Sequence, residues 1–164
     1  MRESTRKQAA SQRKQIAFQN SGGIRAPIPS GKITMRQMYT VLPFDNKLVF
    51  MDLTGEQVRE VLEQGATGEF GLLQVSGITV TYDLKKPVGK RVVKADVEGE
   101  ALDPRGLYTV VTNDFLAAGG DKVAALKEAK VVEYGDTLRD ALIHYLNKHS
   151  PVAPKIEGRI LFVQ

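Results

Sequence analysis

The sequence predicts an α+β fold (mixed α/β) in which helices flank a layered mixed sheet. Segments with strand character and segments with helical periodicity are mixed along the chain, without the regular βαβ alternation of a doubly wound fold. A hairpin pattern surrounds a turn at residues 85–89. With 164 residues, the chain is long enough for one domain with a core of its own.

The first half of the chain is predicted to run strand, helix, strand, helix. The first strand covers residues 16–19, and the second covers 47–53, where apolar and polar residues alternate. Between them lies a helix that Pro43 ends, with one apolar face formed by Met35, Met38, Tyr39 and Leu42. Thr54 and Gln57 have the spacing of a capping box, so they mark the start of the second helix.

In the second half, strands at 78–82 and 91–97 form the predicted hairpin. A strand rich in β-branched residues at 108–112 then leads into a loop at 113–121. The remaining predicted elements are a short helix at 123–127, a short strand at 131–132, a longer helix capped by Asp136, and a last strand at 158–163.

Charge and composition argue against several classes of function. The net charge is +4, but the basic residues concentrate at the N-terminus and around the hairpin, where no aromatic side chains are interleaved to stack on bases. No nucleic-acid partner is therefore expected. No apolar run approaches the ~18 residues of a membrane span. Because the chain has 2 histidines and no cysteine, no metal site is predicted in it.

Two glycine-containing loops carry most of the candidate site residues. The first loop, at 20–27, follows a strand and contains Asn20, Gly22, Gly23 and Arg25. The guanidinium of Arg25 is permanently charged, so it suits a phosphate, a carboxylate or a structural aspartate.

The second loop combines Phe115, Gly119, Gly120 and Asp121. Its phenylalanine offers a stacking face, and its glycine pair allows positive φ angles and a close approach of backbone to ligand. The Asp121 carboxylate can accept hydrogen bonds from hydroxyl or ring N–H groups. The loop therefore suits a flat ring ligand that carries hydroxyls. Two structural roles stay open, namely Phe115 as a core residue at a strand end and Asp121 as a helix N-cap.

Several short motifs follow one another along the chain. They are Asn-Ser-Gly-Gly-Ile-Arg at 20–25, Gly-Lys-Ile-Thr at 31–34, Val-Leu-Pro-Phe-Asp-Asn at 41–46, Leu-Thr-Gly at 53–55, Gln-Val-Ser-Gly at 74–77, Phe115 with Gly-Gly-Asp at 119–121, and Glu-Gly-Arg-Ile at 157–160. This ordered set resembles the C-terminal domain of the 5′-nucleotidase family, which includes UDP-sugar hydrolases and 2′,3′-cyclic phosphodiesterases. The resemblance covers nearly everything from Ile16 to Gln164.

The resemblance implies a basic N-terminal arm or truncated helix at 1–14 and a substrate-binding domain at 15–164. In that family, a separate N-terminal metallophosphatase domain carries a divalent metal pair and the catalytic histidine, while the C-terminal domain binds the base and sugar. We therefore expect this chain to recognise a nucleoside monophosphate or nucleotide sugar, to hold no catalytic residue, and to be inactive in isolation. The family also implies an extracytoplasmic location, although no secretion signal opens the sequence.

The resemblance also assigns roles to individual residues. Phe115 is expected to form one wall of an aromatic clamp around the base, and Asp121 is expected to bind the ribose hydroxyls. Arg25 is expected to contact the phosphate or the sugar, in a loop shaped by Asn20, Gly22 and Gly23.

The second clamp wall and Asn46 each have two interpretations. Phe70 is the aromatic residue nearest to the aligned segment, so either it forms the second wall or a leucine, Leu72 or Leu73, replaces the ring. Asn46 belongs to the Pro-Phe-x-Asn motif at 43–46, but a turn-forming role explains it equally well.

Two other classes of function stay open. A standalone nucleoside-binding or scaffold module would bind the same ligand without a hydrolytic partner. A self-contained hydrolase would use Asp114, Asp121 and His144, but their spacing is not that of a nucleophile, a base and an orienting group.

Overall fold

The structure, a computed structural model, describes residues 13–163, so most of the predicted N-terminal arm at 1–14 lies outside the described residues. Within this range the strands are β1 (Gln15–Gln19), β2 (Lys47–Thr54), β3 (Gln74–Ser76), β4 (Ile78–Tyr82), β5 (Val92–Val97), β6 (Glu100–Ala101), β7 (Leu107–Asn113), β8 (Lys130–Thr137) and β9 (Ile160–Phe162). The α-helices are α1 (Met35–Val41), α2 (Gly55–Gln64), α3 (Asp114–Ala117), α4 (Ala124–Lys127) and α5 (Leu138–His149).

The strands form two mixed sheets, which confirms the predicted α+β class. One sheet has five strands in the order β3-β1-β7-β2-β8, and the other has four in the order β6-β5-β4-β9. The predicted hairpin is the antiparallel pair β4 and β5. In the larger sheet β1 runs parallel to β7. The segments that follow these two neighbours therefore leave the sheet at the same edge.

The main core lies around α2, which contacts β2 of one sheet and β5 of the other. The inner face of this helix is fully buried through Val58, Val61 and Leu62. At its start, Thr54 Oγ1 accepts from the Gln57 N–H at 3.3 Å, and the Thr54 N–H donates to Gln57 Oε1 at 2.9 Å. The predicted capping box is therefore confirmed.

A second, smaller core joins α1 to α5. Met38 and Leu42 are buried there, as predicted, against leucines of α5. Met35 and Tyr39, which were assigned to the same face, are exposed. Only part of the predicted apolar stripe is therefore core.

Two local predictions in the second half are wrong in detail. The cap of α5 is Thr137, whose Oγ1 accepts from the Asp140 N–H at 3.0 Å, while Asp136 belongs to β8. This strand is longer than predicted because it pairs with β2, a contact between distant parts of the chain. The predicted loop at 113–121 begins with the single-turn helix α3, because the side chain of Asn113 caps it.

A glycine at the junction of the two sheets is expected to be important for stability. Gly77 lies between β3 and β4 with φ +74°, and a Cβ there would overlap the carbonyl oxygen of Gln15. Gly99 has φ +84° and open space around such a Cβ, so its replacement reports the cost of the backbone conformation alone. We expect Gly99→Ala to lower the free energy of unfolding by about 1 kcal/mol and Gly77→Ala by about 3 kcal/mol. Urea denaturation measures both losses, and equal losses would contradict the prediction.

Candidate functional site

A cavity of about 290 Å³ lies where β1 and β7 end. Its lining comes from the segment after β1, the turn between α1 and β2, the segment after β7, and the start of α5. The sequence-predicted residues that line it are Asn20, Gly22, Gly23, Arg25, Asn46, Phe115 and Asp121. The structure therefore brings together side chains from three separate parts of the sequence.

Two phenylalanine rings line this cavity, and each is about half exposed. Phe115 is 45% exposed and Phe44 is 52% exposed. The interpretation of Phe115 as a core residue is therefore wrong. Its ring lies on the backbone of Gly120, where an added Cβ would come within 2.5–2.6 Å of three ring atoms. The residue before Gly120 is Gly119, whose φ of +89° lies in the left-handed region that glycine favours.

Phe70, which was expected as one choice for the second wall, does not line this cavity. It borders an adjoining cavity of about 10 Å³ that shares Asn20 and Asp121 with the large one, and its ring centroid lies 5.8 Å from Lys122 Nζ. The alternative residues do not line it either: Leu73 is buried, and Leu72 packs against the main core. The second ring of the large cavity is Phe44. Phe44 is the phenylalanine of the Pro-Phe-x-Asn motif that also contains Asn46, so this motif could have identified it from the sequence.

Buried amides join the ends of β1 and β7. Asn113 is only 2% exposed, and its Nδ2 donates to Gln19 Oε1 and to Asn20 Oδ1, both at 3.0 Å. Its Oδ1 accepts from the Leu116 N–H at 2.9 Å and so caps α3. Asn20 in turn donates from Nδ2 to Asp121 Oδ2 at 3.0 Å. One buried side chain therefore fixes both the start of α3 and the residue that holds Asp121.

Asp121 presents its carboxylate from a left-handed backbone conformation, with φ 52° and ψ 27°. Lys122 also has positive φ, at 63°. Such angles are uncommon for residues other than glycine, and they cost free energy that the surrounding structure must offset. Asp121 is not the cap of α4, because Val123 occupies that position. The N-cap interpretation is therefore wrong, and the carboxylate instead lines the cavity.

Arg25 lies exposed at the cavity, in a loop whose shape depends on glycine. Its Nη1 donates to the Gly22 carbonyl at 3.3 Å, and its backbone N–H donates to the Val41 carbonyl at 2.9 Å. Among residues 13–163, no carboxylate lies within salt-bridge distance of it. At Gly23 a Cβ would overlap the side chains of Gln19 and Asn20. The loop therefore places the guanidinium of Arg25 at the cavity, and no carboxylate of the described residues pairs with this charge.

Asn46 makes the contacts of a turn-forming residue and also faces the cavity. Its Nδ2 donates to Asp114 Oδ1 at 2.8 Å, and its carbonyl accepts from the Leu138 N–H at 2.8 Å. It therefore stabilises the turn between α1 and β2, and it also lines the cavity.

The candidate metal-ligating and hydrolytic side chains lie apart within the part of the chain that the structure describes. No group of three or more His, Cys, Asp or Glu side chains within 13–163 is arranged to hold a metal ion. His144 lies on α5 outside the cavity lining, while Asp114 and Asp121 are each bonded to an asparagine. No described helix is both long enough and apolar enough to cross a membrane.

Comparison with known proteins gives consistent matches. A family model described as the 5′-nucleotidase C-terminal domain matches residues 3–128. An apyrase of Tabanus yao is 37% identical over 91% of this chain and 30% of its own length. The trifunctional nucleotide phosphoesterase YfkN of Bacillus subtilis is 39% identical over 94% of this chain and 11% of its own length. The crystal structure of a 5′-nucleotidase precursor from Thermus thermophilus superposes with a TM-score of 0.87 and 40% identity, covering 99% of this chain and 33% of that chain. The chain thus spans a third or less of these proteins.

The buried amide of Asn113 is expected to stabilise the site more than an ordinary helix cap would. Asn113→Ala removes a cap and also leaves buried polar groups of Gln19 and Asn20 with fewer partners, so we expect a loss of about 3 kcal/mol in the free energy of unfolding. Thr137→Ala is the matched control, because it removes a cap and the local bond from Thr137 Oγ1 to Asp140 Oδ2 but no buried amide network, and it should cost about 1 kcal/mol. Urea denaturation compares the two. A loss at Asn113 no larger than that at Thr137 would show that the network contributes nothing beyond capping.

Proposed function

Because this chain belongs to the 5′-nucleotidase C-terminal domain family, we propose that it recognises the nucleoside part of a nucleotide for a phosphohydrolase. The observation that supports this most strongly is the pair of exposed phenylalanines, Phe44 and Phe115, in one cavity. Exposed aromatic rings that share a concave site are suited to stack on a flat base. Stacking of a base on an aromatic side chain contributes about 1–3 kcal/mol.

In this proposal the sugar binds beside the rings. One oxygen of Asp121 already accepts from Asn20, and the carboxylate retains acceptor capacity for vicinal hydroxyls. The cation of Arg25 binds the phosphate or the sugar next to it, because a guanidinium donates several hydrogen bonds in a fixed plane. Gly22 and Gly23 allow the backbone to approach the ligand closely.

The chemistry of hydrolysis is assigned to a different part of a longer protein. Residues 13–163 contain no group of three or more side chains that could hold a metal ion. We propose that an N-terminal metallophosphatase domain with a divalent metal pair acts on the phosphate, and that this domain fixes the base and sugar. Binding energy from the base then orients the reacting phosphorus. We extend the proposal to an extracytoplasmic location, on the family resemblance alone.

Binding of AMP to the 164-residue chain tests this proposal. We expect Phe44→Ala and Phe115→Ala each to weaken AMP binding about tenfold or more, because each removes one stacking surface. Phe70→Ala is the comparison variant and should change the affinity less than about twofold, because its ring lines only the small adjoining cavity and not the large one. Titration calorimetry or ligand-observed NMR measures the affinities. Absence of AMP binding to the wild-type chain, or equal affinities for all variants, would contradict the proposal.

A phosphatase assay separates recognition from catalysis. We expect the chain alone to release no phosphate from AMP when Mg²⁺, Mn²⁺ or Zn²⁺ is added, because the described residues hold no catalytic constellation. A full-length 5′-nucleotidase assayed in the same buffers is the positive control. Metal-dependent turnover that survives purification, and that disappears in an Asp121→Asn variant, would support the self-contained hydrolase instead.

A further inference from the structure

We propose that Arg139 is a positioning residue that sets the ring of Phe44 as a wall of the cavity. The inference rests on the proposed nucleoside site, but it concerns a side chain that neither lines the cavity nor belongs to any of the motifs. Arg139 lies in the first turn of α5, and it is only 5% exposed.

Its guanidinium is attached to both sides of the Phe44 turn. Nη1 donates to the Leu42 carbonyl at 2.9 Å, and Nη2 forms an ion pair with the Asp45 carboxylate. These two partners flank Phe44 in the sequence. The guanidinium carbon also lies 3.9 Å from the ring centroid of Tyr39, so the cation is covered by an aromatic face. One side chain therefore connects α5 to the end of α1 and to the turn.

Phe44 needs such support because its own packing is weak. A ring that is 52% exposed buries too little surface to fix its own position. The turn is instead held through its backbone and its flanking residues, by Arg139 and by the Leu138 N–H, which donates to the Asn46 carbonyl at 2.8 Å. Both hydrogen bonds come from residues at the start of α5, so the position of the Phe44 ring depends on the position of α5.

A buried guanidinium contributes little net free energy to the stability of a fold. Removing a charged group from water costs free energy that an ion pair only partly offsets, and apolar replacements are often neutral or stabilising. The Nε of Arg139 has no hydrogen-bond partner among the described residues, which adds to the cost. The hydrogen bond to Asp45 raises the pKa of the guanidinium, so it stays protonated. This geometry suits a residue that determines the shape of the turn more than the stability of the chain.

A double-mutant cycle on AMP binding separates positioning from general stabilisation. We expect Arg139→Met to weaken AMP binding about tenfold in the wild-type background but less than about twofold in the Phe44→Ala background, where no wall remains to be positioned. Arg139→Lys keeps the charge but loses the planar fork, so it should also weaken binding by about threefold or more. Arg59→Met is the matched control, because Arg59 also donates to a backbone carbonyl, that of Val92 at 2.6 Å, but lies away from the cavity.

Two further readouts keep the test decisive. Should Arg139→Met fail to fold, Asp45→Asn removes the ion pair at a carboxylate that is 79% exposed, and it should weaken AMP binding in the same Phe44-dependent way. In the ligand-free chain, the ¹³C ring signals of Phe44 should shift in Arg139→Met and stay unchanged in Arg59→Met.

The outcomes distinguish this inference from the proposed function. Wild-type AMP binding that depends on Phe115, together with unchanged affinity in the Arg139 variants, would overturn the positioning role alone. An equal loss in the Phe44→Ala background would also overturn it, because Arg139 would then act through something else. If the wild-type chain binds no AMP, the proposed function fails, and the Phe44 ring signals alone decide whether Arg139 sets the wall.

Discussion

The buried amide of Asn113 is the constraint on which the rest of the site depends. It lies at the end of β7, next to the end of its parallel neighbour β1, where backbone and side-chain polar groups are removed from water. Buried polar groups must find partners, and Asn113 supplies them to Gln19, to Asn20 and to the first turn of α3. The same contacts set the ring of one wall and the carboxylate of Asp121. Side-chain hydrogen bonds therefore connect the ends of β1 and β7 directly to the residues that line the cavity.

The two walls of the cavity are held by unrelated parts of the fold. Phe115 belongs to α3, which the sheet fixes directly, while Phe44 belongs to a turn that α5 fixes from the other side. Neither ring is buried enough to be held by its own packing. In the proposed function, tight binding of a flat base requires that α3 and the turn before β2 both keep their rings in position.

The sequence predicted correctly those features that depend on interactions between residues close together in the chain. The capping box of Thr54 and Gln57, the hairpin of β4 and β5, and the glycine-shaped loops all follow from neighbouring residues. The failures are contacts across the chain. Thr137 caps α5 in place of Asp136 because β8 extends along β2. The large cavity is lined by Phe44 and not by Phe70, which the motif order alone could not decide. Arg139 had no signal of its own, since its partners are 94–97 residues away.

A crystal structure of this chain with bound adenosine tests the central claim most directly. The account predicts electron density for the base between the rings of Phe44 and Phe115, with the ribose hydroxyls within hydrogen-bond distance of the Asp121 carboxylate. Density for the nucleoside at any other surface, with the space between the two rings empty, would contradict it.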